Sequence, residues 1–257
     1  MAIGKNQKAK WKVSKNVQKA LRDAKKITAF SKKDWVTVRA PRYFKNTHIG
    51  KTPFNRGFHS EKHLKGRVFE VNLADLEGRE DLSGKVFKFD ISEIRNNIAL
   101  TSFKGMRFTA QVLSAMIKKK IELVEGSVTV KTADGFSLRV FVLGIPRWRK
   151  SKGNAHAKSA LIKKSRMRIL EIIKDNVMNA TIEQLILKLI PFPDVISSEI
   201  LKTTKSILPL SMVHITKIKV VKSPPLSIEG LLTTHRGYDA KDLGKELAFK
   251  DVILDSV

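Results

Sequence analysis

The sequence predicts an α+β protein: an antiparallel β-barrel-like core with flanking helices, a basic extended N-terminal arm and a loose C-terminal tail. Three observations predict it. Segments of alternating hydrophobicity dominate residues 35–143, and segments of helical spacing dominate 159–206. One alternating segment, 212–221, returns at the end, so strands come first, helices follow and a last strand rejoins the sheet. The charge is segregated into two basic blocks that flank otherwise ordinary globular stretches.

The elements follow in order. Residues 5–29 place Val17, Leu21, Ala24 and Ile27 at helical spacing. They supply too few apolar groups to fold alone, which reads as an arm that orders on a partner. Ser31-Lys32-Lys33-Asp34 has the form of a capping box and precedes a strand, Trp35-Val36-Thr37-Val38, stopped by Pro41. Residues 67–73 alternate with Phe69, Val71 and Leu73 on one face; residues 86–91 alternate with Phe87, Phe89 and Ile91 inward. The glycine-containing loop 74–84 joins these two strands.

Residues 127–143 form a hairpin around Ala133-Asp134-Gly135. A two-residue Asp-Gly turn would oppose Val130 to Arg139 and mix the faces. A three-residue loop with Gly135 left-handed pairs Thr132 with Phe136, Val130 with Leu138 and Val128 with Val140, so that loop is expected. Thr109 caps a helix to about Lys119, with Val112, Leu113, Met116 and Ile117 as its buried stripe. A second helix, 159–175, turns Ile162, Ile169, Ile172 and Ile173 inward. Thr181-Ile182-Glu183-Gln184 is a capping box opening a third, ended by Pro191 and Pro193, and a fourth runs from about Asp194 to Ser206. After Ser223, two prolines, several acids and few apolar residues read as a tail. The expected division is an arm at 1–30, a globular domain at 31–222 and a tail at 223–257.

A chain of 257 residues that is 42% hydrophobic can bury a sizeable core. Its 50 Lys and Arg against 24 Asp and Glu give a net charge of +26, where solubility needs a magnitude of only about 2–8. Uncompensated cations repel one another and destabilise the compact state, so a polyanion partner is expected to neutralise them. Residues 1–60 carry 16 cations against 2 acids, and residues 146–175 carry 10 against 2. The absence of cysteine excludes disulfides, thiolate zinc sites, iron–sulfur clusters and cysteine nucleophiles. No apolar run reaches the roughly 18 residues of a membrane span, and the N-terminus lacks the apolar stretch of a secretory signal.

The enzyme motifs fail on inspection. Ile49-Gly50-Lys51-Thr52 resembles the end of a phosphate-binding loop, but Lys45 stands where the first glycine belongs and Pro53 blocks the following helix. His59 and His63 have the spacing of helical metal ligands without a third ligand nearby, so they read as solvated or phosphate-facing. His156 is read as exposed or RNA-stacking, and His214 as a satisfied core or cross-strand residue. No nucleophile, base and oxyanion donor converge in the sequence. The chain is not expected to be an enzyme, and no cofactor or metal site is expected.

Both basic blocks interleave aromatic residues with cations, the pattern that lets lysines and arginines neutralise phosphates while an exposed ring stacks an unpaired base. The expected RNA contacts in the first block are Lys8, Lys10, Trp11, Lys12, Lys15, Lys32, Lys33, Arg42, Lys45 and Lys51. In the second they are Arg147, Trp148, Arg149, Lys150 and Lys152, with Lys163, Lys164, Arg166 and Arg168 around the outer face of the second helix. Tyr43 and Phe44 read equally as core packing or stacking, and Trp148 as a rim contact or a stacking ring. No RNA recognition motif or KH clamp is visible, so recognition by shape and charge over a broad surface is expected. The rivals are a free DNA- or chromatin-binding basic protein and an RNA-processing enzyme.

Several strings together carry a resemblance: Phe30-Ser31-Lys32-Lys33-Asp34-Trp35, Ile49-Gly50-Lys51-Thr52, Leu64-Lys65-Gly66-Arg67-Val68-Phe69-Glu70-Val71, Leu73-Ala74-Asp75-Leu76, Phe103-Lys104-Gly105-Met106, Val130 to Arg139 and Ile207-Leu208-Pro209-Leu210. In order and spacing they resemble the archaeal and eukaryotic small-subunit ribosomal protein S1e family, called S3a in eukaryotes. The resemblance covers about residues 1–222. It departs at Ala155-His156-Ala157, where relatives typically carry Ser-Tyr-Ala. It implies a β-barrel core with flanking helices on the platform of the small subunit, near the messenger RNA exit. It implies small-subunit ribosomal RNA near its 3′ end as ligand and neighbouring small-subunit proteins as partners. Messenger RNA and initiation factors are further implied contacts, with no membrane and no small-molecule substrate. The implied location is the cytoplasmic ribosome, with nucleolar assembly in a eukaryote.

Overall fold

The structure, a computed structural model, describes residues 14–17, 19, 30, 33–55, 60–148, 153–225 and 228–235. Strand β1 (Lys33–Arg39) pairs antiparallel with β2 (His48–Asn55). A short helix, α1 (Ser60–Leu64), leads to β3 (Val68–Asn72), helix α2 (Leu73–Glu77) and a 3-10 turn at Glu80–Leu82. The long hairpin β4 (Lys85–Arg95) and β5 (Ile98–Phe108) follows, then α3 (Ala110–Met116), β6 (Val124–Lys131) and β7 (Ser137–Pro146). Helices α4 (Ser159–Met178), α5 (Ile182–Leu189) and α6 (Val195–Thr204) precede β8 (Leu210–Lys222) and α7 (Ile228–Thr234).

The eight strands form one open, branched sheet in the order β2-β1-β5-β8-β7-β6, with β4 also on β5 and β3 on β4. Barrel-like therefore describes its curl and not its closure. β5 is the hub. Its first residues run parallel to β1, its whole length pairs with β4, and Gly105–Arg107 pair with β8. Two register shifts in the β4–β5 ladder bend it. A β-carbon on Gly105 would lie 2.5 Å from the Ile218 carbonyl oxygen, so only glycine lets β8 approach β5 there.

Alternation in β4 buries Phe87, Phe89 and Ile91, as the sequence expects. Phe44 packs edge-on against Phe87 and Phe89, which settles its role as core. Tyr43 leans on Phe44 and is partly buried against the same core. The 131–137 turn is the expected three-residue loop. The Thr132 N–H donates to the Phe136 carbonyl, Gly135 has φ +86°, and Val130 faces Leu138 and Val128 faces Val140. The Thr181 capping box is complete on both sides, and Ile162, Ile169, Ile172 and Ile173 are buried along α4. Burying each such side chain contributes about 1.5–3 kcal/mol.

Four local expectations are corrected. The 74–84 connection contains α2 and the 3-10 turn, because Asn72 caps α2 through the Ala74 N–H and Gly78 ends it in the left-handed region. Helix α3 stops at Met116, and its apolar stripe is not buried: Ile117 is 61% exposed and Leu113 half-buried. The stripe lines an open groove of about 820 Å³ beside β7 and β8 rather than a covering layer. His214 is buried between the rings of Phe108 and Phe192, but its Nδ1 has no hydrogen-bond partner. Of the segment read as a tail, α7 turns back on the sheet, burying Leu231 and Leu232 against Leu100. Residues 236–257 lie outside the described part.

Burial holds the His214 and His235 rings below the ordinary histidine pKa of 6.5. His235 Nε2 donates to the Thr101 carbonyl at 2.7 Å while Arg39 opposes a second charge; Asp194 opposes the shift of His214 and Lys85 adds to it. A ring whose folded pKa is depressed leaves stability whole above its unfolded value. Stability is lost as pH falls from about 6.5 toward the folded value, because the unfolded chain binds the proton first. Urea unfolding should therefore show stability falling by up to about 1 kcal/mol per ring between pH 7.5 and 5.5. His214→Phe should flatten that decline, and an identical decline in the variant would count against this account.

Candidate nucleic-acid interface

The second basic block is built on α4. Its apolar residues at three- and four-residue spacing lock one side into the core, which turns Lys163, Lys164, Arg166 and Arg168 outward, all exposed. Arg168 pairs with Glu171 at 3.1 Å. Among the described residues, no acid lies within ion-pair distance of Lys163, Lys164 or Arg166. At the end of β7 the Arg147 N–H donates to the Pro209 carbonyl at 2.9 Å, which fixes the backbone, while the Arg147 side chain is exposed. Trp148 follows with 46% of its surface open. Arg149, Lys150 and Lys152 lie outside the described residues.

In the first block, Lys8, Lys10, Trp11, Lys12 and Lys32 lie outside the described residues. Lys15 is helical and exposed. Lys33 starts β1, and its Nζ sits 5.5 Å over the Phe30 ring. Arg42 and Lys45 are exposed in the turn after Pro41, where the Arg42 N–H donates to the Thr234 carbonyl. Lys51 is exposed on β2, where Gly50, Lys51 and Thr52 pair with β1. The string that resembles a phosphate-binding loop is thus a strand.

Those of these cations that are described are not gathered in one cleft; they lie over a helix face, a turn, the strands β1 and β2 and the end of β7. It also shows an aromatic pair not singled out from sequence. Phe30 and Trp35 stack at 6.0 Å and are 57% and 49% exposed. Parity could have found Trp35: Val36 and Val38 are inward, so Trp35 faces out. Among the histidines, His63 is exposed on α1, and the exposed His156 ring lies 3.8 Å from Glu122. Among the described residues, no group of three or more His, Cys, Asp or Glu could hold a metal ion, and no helix is long and apolar enough to cross a membrane.

Fold and surface together define a class: a strongly basic α+β protein whose described cations are spread over broad faces. A model of the Ribosomal S3Ae family, the S1e/S3a family, matches residues 22–224, and the chain belongs to that family. It is a ribosomal protein of the small subunit and a component of the translation apparatus.

Proposed function

We propose that this protein is a structural constituent of the small ribosomal subunit that binds and neutralises ribosomal RNA on the platform near the messenger RNA exit, and that it works by charge and shape without a reaction of its own. The observation that carries the reading is α4, whose apolar back is locked into the core while Lys163, Lys164, Arg166 and Arg168 face solvent. Such a helix is suited to lie along a phosphate backbone, releasing counterions as it does so. In this reading the arm 1–30 and the segment 147–168 cover phosphates so that RNA helices can approach one another. The domain 31–222 holds them in place, and neighbouring ribosomal proteins complete the surroundings. Messenger RNA and initiation factors pass over the same platform.

The test is sedimentation: the protein should remain stoichiometric with small subunits after a high-salt wash, and loss of stoichiometry would overturn the reading. Trp148→Ala should weaken binding to small-subunit ribosomal RNA by about 1–3 kcal/mol, since a ring this exposed at a strand end can stack a base. Unchanged affinity with a less stable fold would assign Trp148 to packing instead.

A further inference from the structure

The outer face of the central sheet carries a second set of cations, none of which lies in the two basic blocks of the sequence. Strand register sets their neighbourhood. Lys88 stands opposite Gly105, Gly105 opposite Lys219 and Lys219 opposite Arg139, across four adjacent strands. In the neighbouring part of the ladder Arg107 stands opposite Lys217. These side chains point away from Phe87, Met106, Ile218, Leu138 and Val140, which are buried on the other face. Adjacent strands are only about 4.8 Å apart, so the cations are close neighbours.

Glu70 is the carboxylate that pairs with this group, 2.5 Å from both Lys88 Nζ and Arg107 Nη2, and these bonds hold its pKa below the ordinary carboxylate value. Glu125 lines the same groove as Arg107 and Lys217, and five cations against these two carboxylates still leave a local excess of positive charge. The charge of Lys219, and less so those of Lys88 and Arg107, pushes the Lys217 ammonium below the ordinary lysine pKa. Such crowding is unfavourable until an anion meets it.

The chemistry of the face selects the anion. The half-buried ring beside it, Phe141, carries the Arg139 guanidinium 5.3 Å from its centre, so on the cation side this ring is met by a charge. The centre of a protein interface is also depleted of charge, whereas phosphate contact is made by exposed lysines and arginines. Gly105 adds no side chain between Lys88 and Lys219, so the middle of the row is low.

We propose that the sheet face formed by Lys88, Arg107, Arg139, Lys217 and Lys219 is a separate phosphate-contact surface for ribosomal RNA, holding the sugar–phosphate backbone without reading bases. The inference rests on the RNA-binding reading above and adds a face to it. RNA is then held both by α4 and by the sheet, and Arg166 of α4 lines one groove with Arg107 and Lys217 of the sheet.

The experiment titrates the full chain against deproteinised small-subunit ribosomal RNA from about 50 to 200 mM salt. It compares the variant Arg139→Gln/Lys217→Gln/Lys219→Gln with Lys163→Gln/Lys164→Gln/Arg166→Gln. The sheet variant should lower the slope of log affinity against log salt by about 2–3. If it keeps the full slope while the helix variant loses its share, this inference fails and the RNA reading stands. If neither slope moves, both fail. If the sheet variant binds RNA normally yet no longer joins small subunits, the face docks a protein and the inference is overturned. Should the triple variant unfold at a lower temperature, Arg139→Gln/Lys219→Gln, at two exposed positions, replaces it, with an expected slope change of about 1.5–2.

Discussion

Replacing Lys85 with methionine should lower stability by about 3–5 kcal/mol. At about 2–4 °C per kcal/mol for a chain of this size, the thermal midpoint should fall by roughly 10 °C. Lys85 is 1% exposed, on the same face of β4 as Phe87 and Phe89. Its ammonium pairs with Asp194, which is equally buried, and donates to the Leu189 carbonyl at 2.6 Å and the Pro191 carbonyl at 3.0 Å. Burial lowers the Lys85 pKa and raises that of Asp194, and each charge opposes the other's shift. Removing the cation leaves a buried carboxylate without its counter-charge. Lys85→Met/Asp194→Leu should recover only part of the loss, because the two carbonyls stay unpaired. A loss below about 1 kcal/mol in the single variant, measured by thermal and urea unfolding, would show that water enters the site.

Deleting residues 1–30 should produce the largest change in RNA binding. The segment carries nine Lys and Arg against one acid. If most of the nine meet phosphates, the salt slope should fall by up to about 6–8. An unchanged slope from about 50 to 200 mM salt would remove the arm from the interface.

These two predictions draw on different sources. The arm follows from composition, because counterion release depends on how many cations meet phosphates. Lys85 could not be read that way. As a lysine before Val86-Phe87-Lys88-Phe89 it looks like a solvated strand end, and its partner is more than a hundred residues away across the α5–α6 connection. The strands β2 and β5 were also missed. Gly50 and Pro53 interrupt β2, and the extra residue Lys104 breaks the alternation of β5, so neither shows a clean period of two.

The expected cations divide in the same manner. Lys163, Lys164, Arg166 and Arg168 were legible because a helix with an apolar stripe must place its remaining residues outside. Lys88, Arg107, Arg139, Lys217 and Lys219 were not, because they are spread over four strands and form a cluster only once those strands pair. The α3 stripe misled in the opposite direction. Helical spacing states which residues share a side and not whether anything packs on it.

By itself the sequence determined the α+β class, the three-residue hairpin loop, the Thr181 capping box, the excess of charge and the family. All of these rest on local spacing or on counting, which a linear chain carries in full. Tertiary structure alone decided the branching of the sheet at β5, the burial of Lys85 with Asp194 and the crowding of cations on the outer face. Each depends on which distant strands pair and in what register, and pairing energy comes from contacts that exist only after the chain has closed on itself.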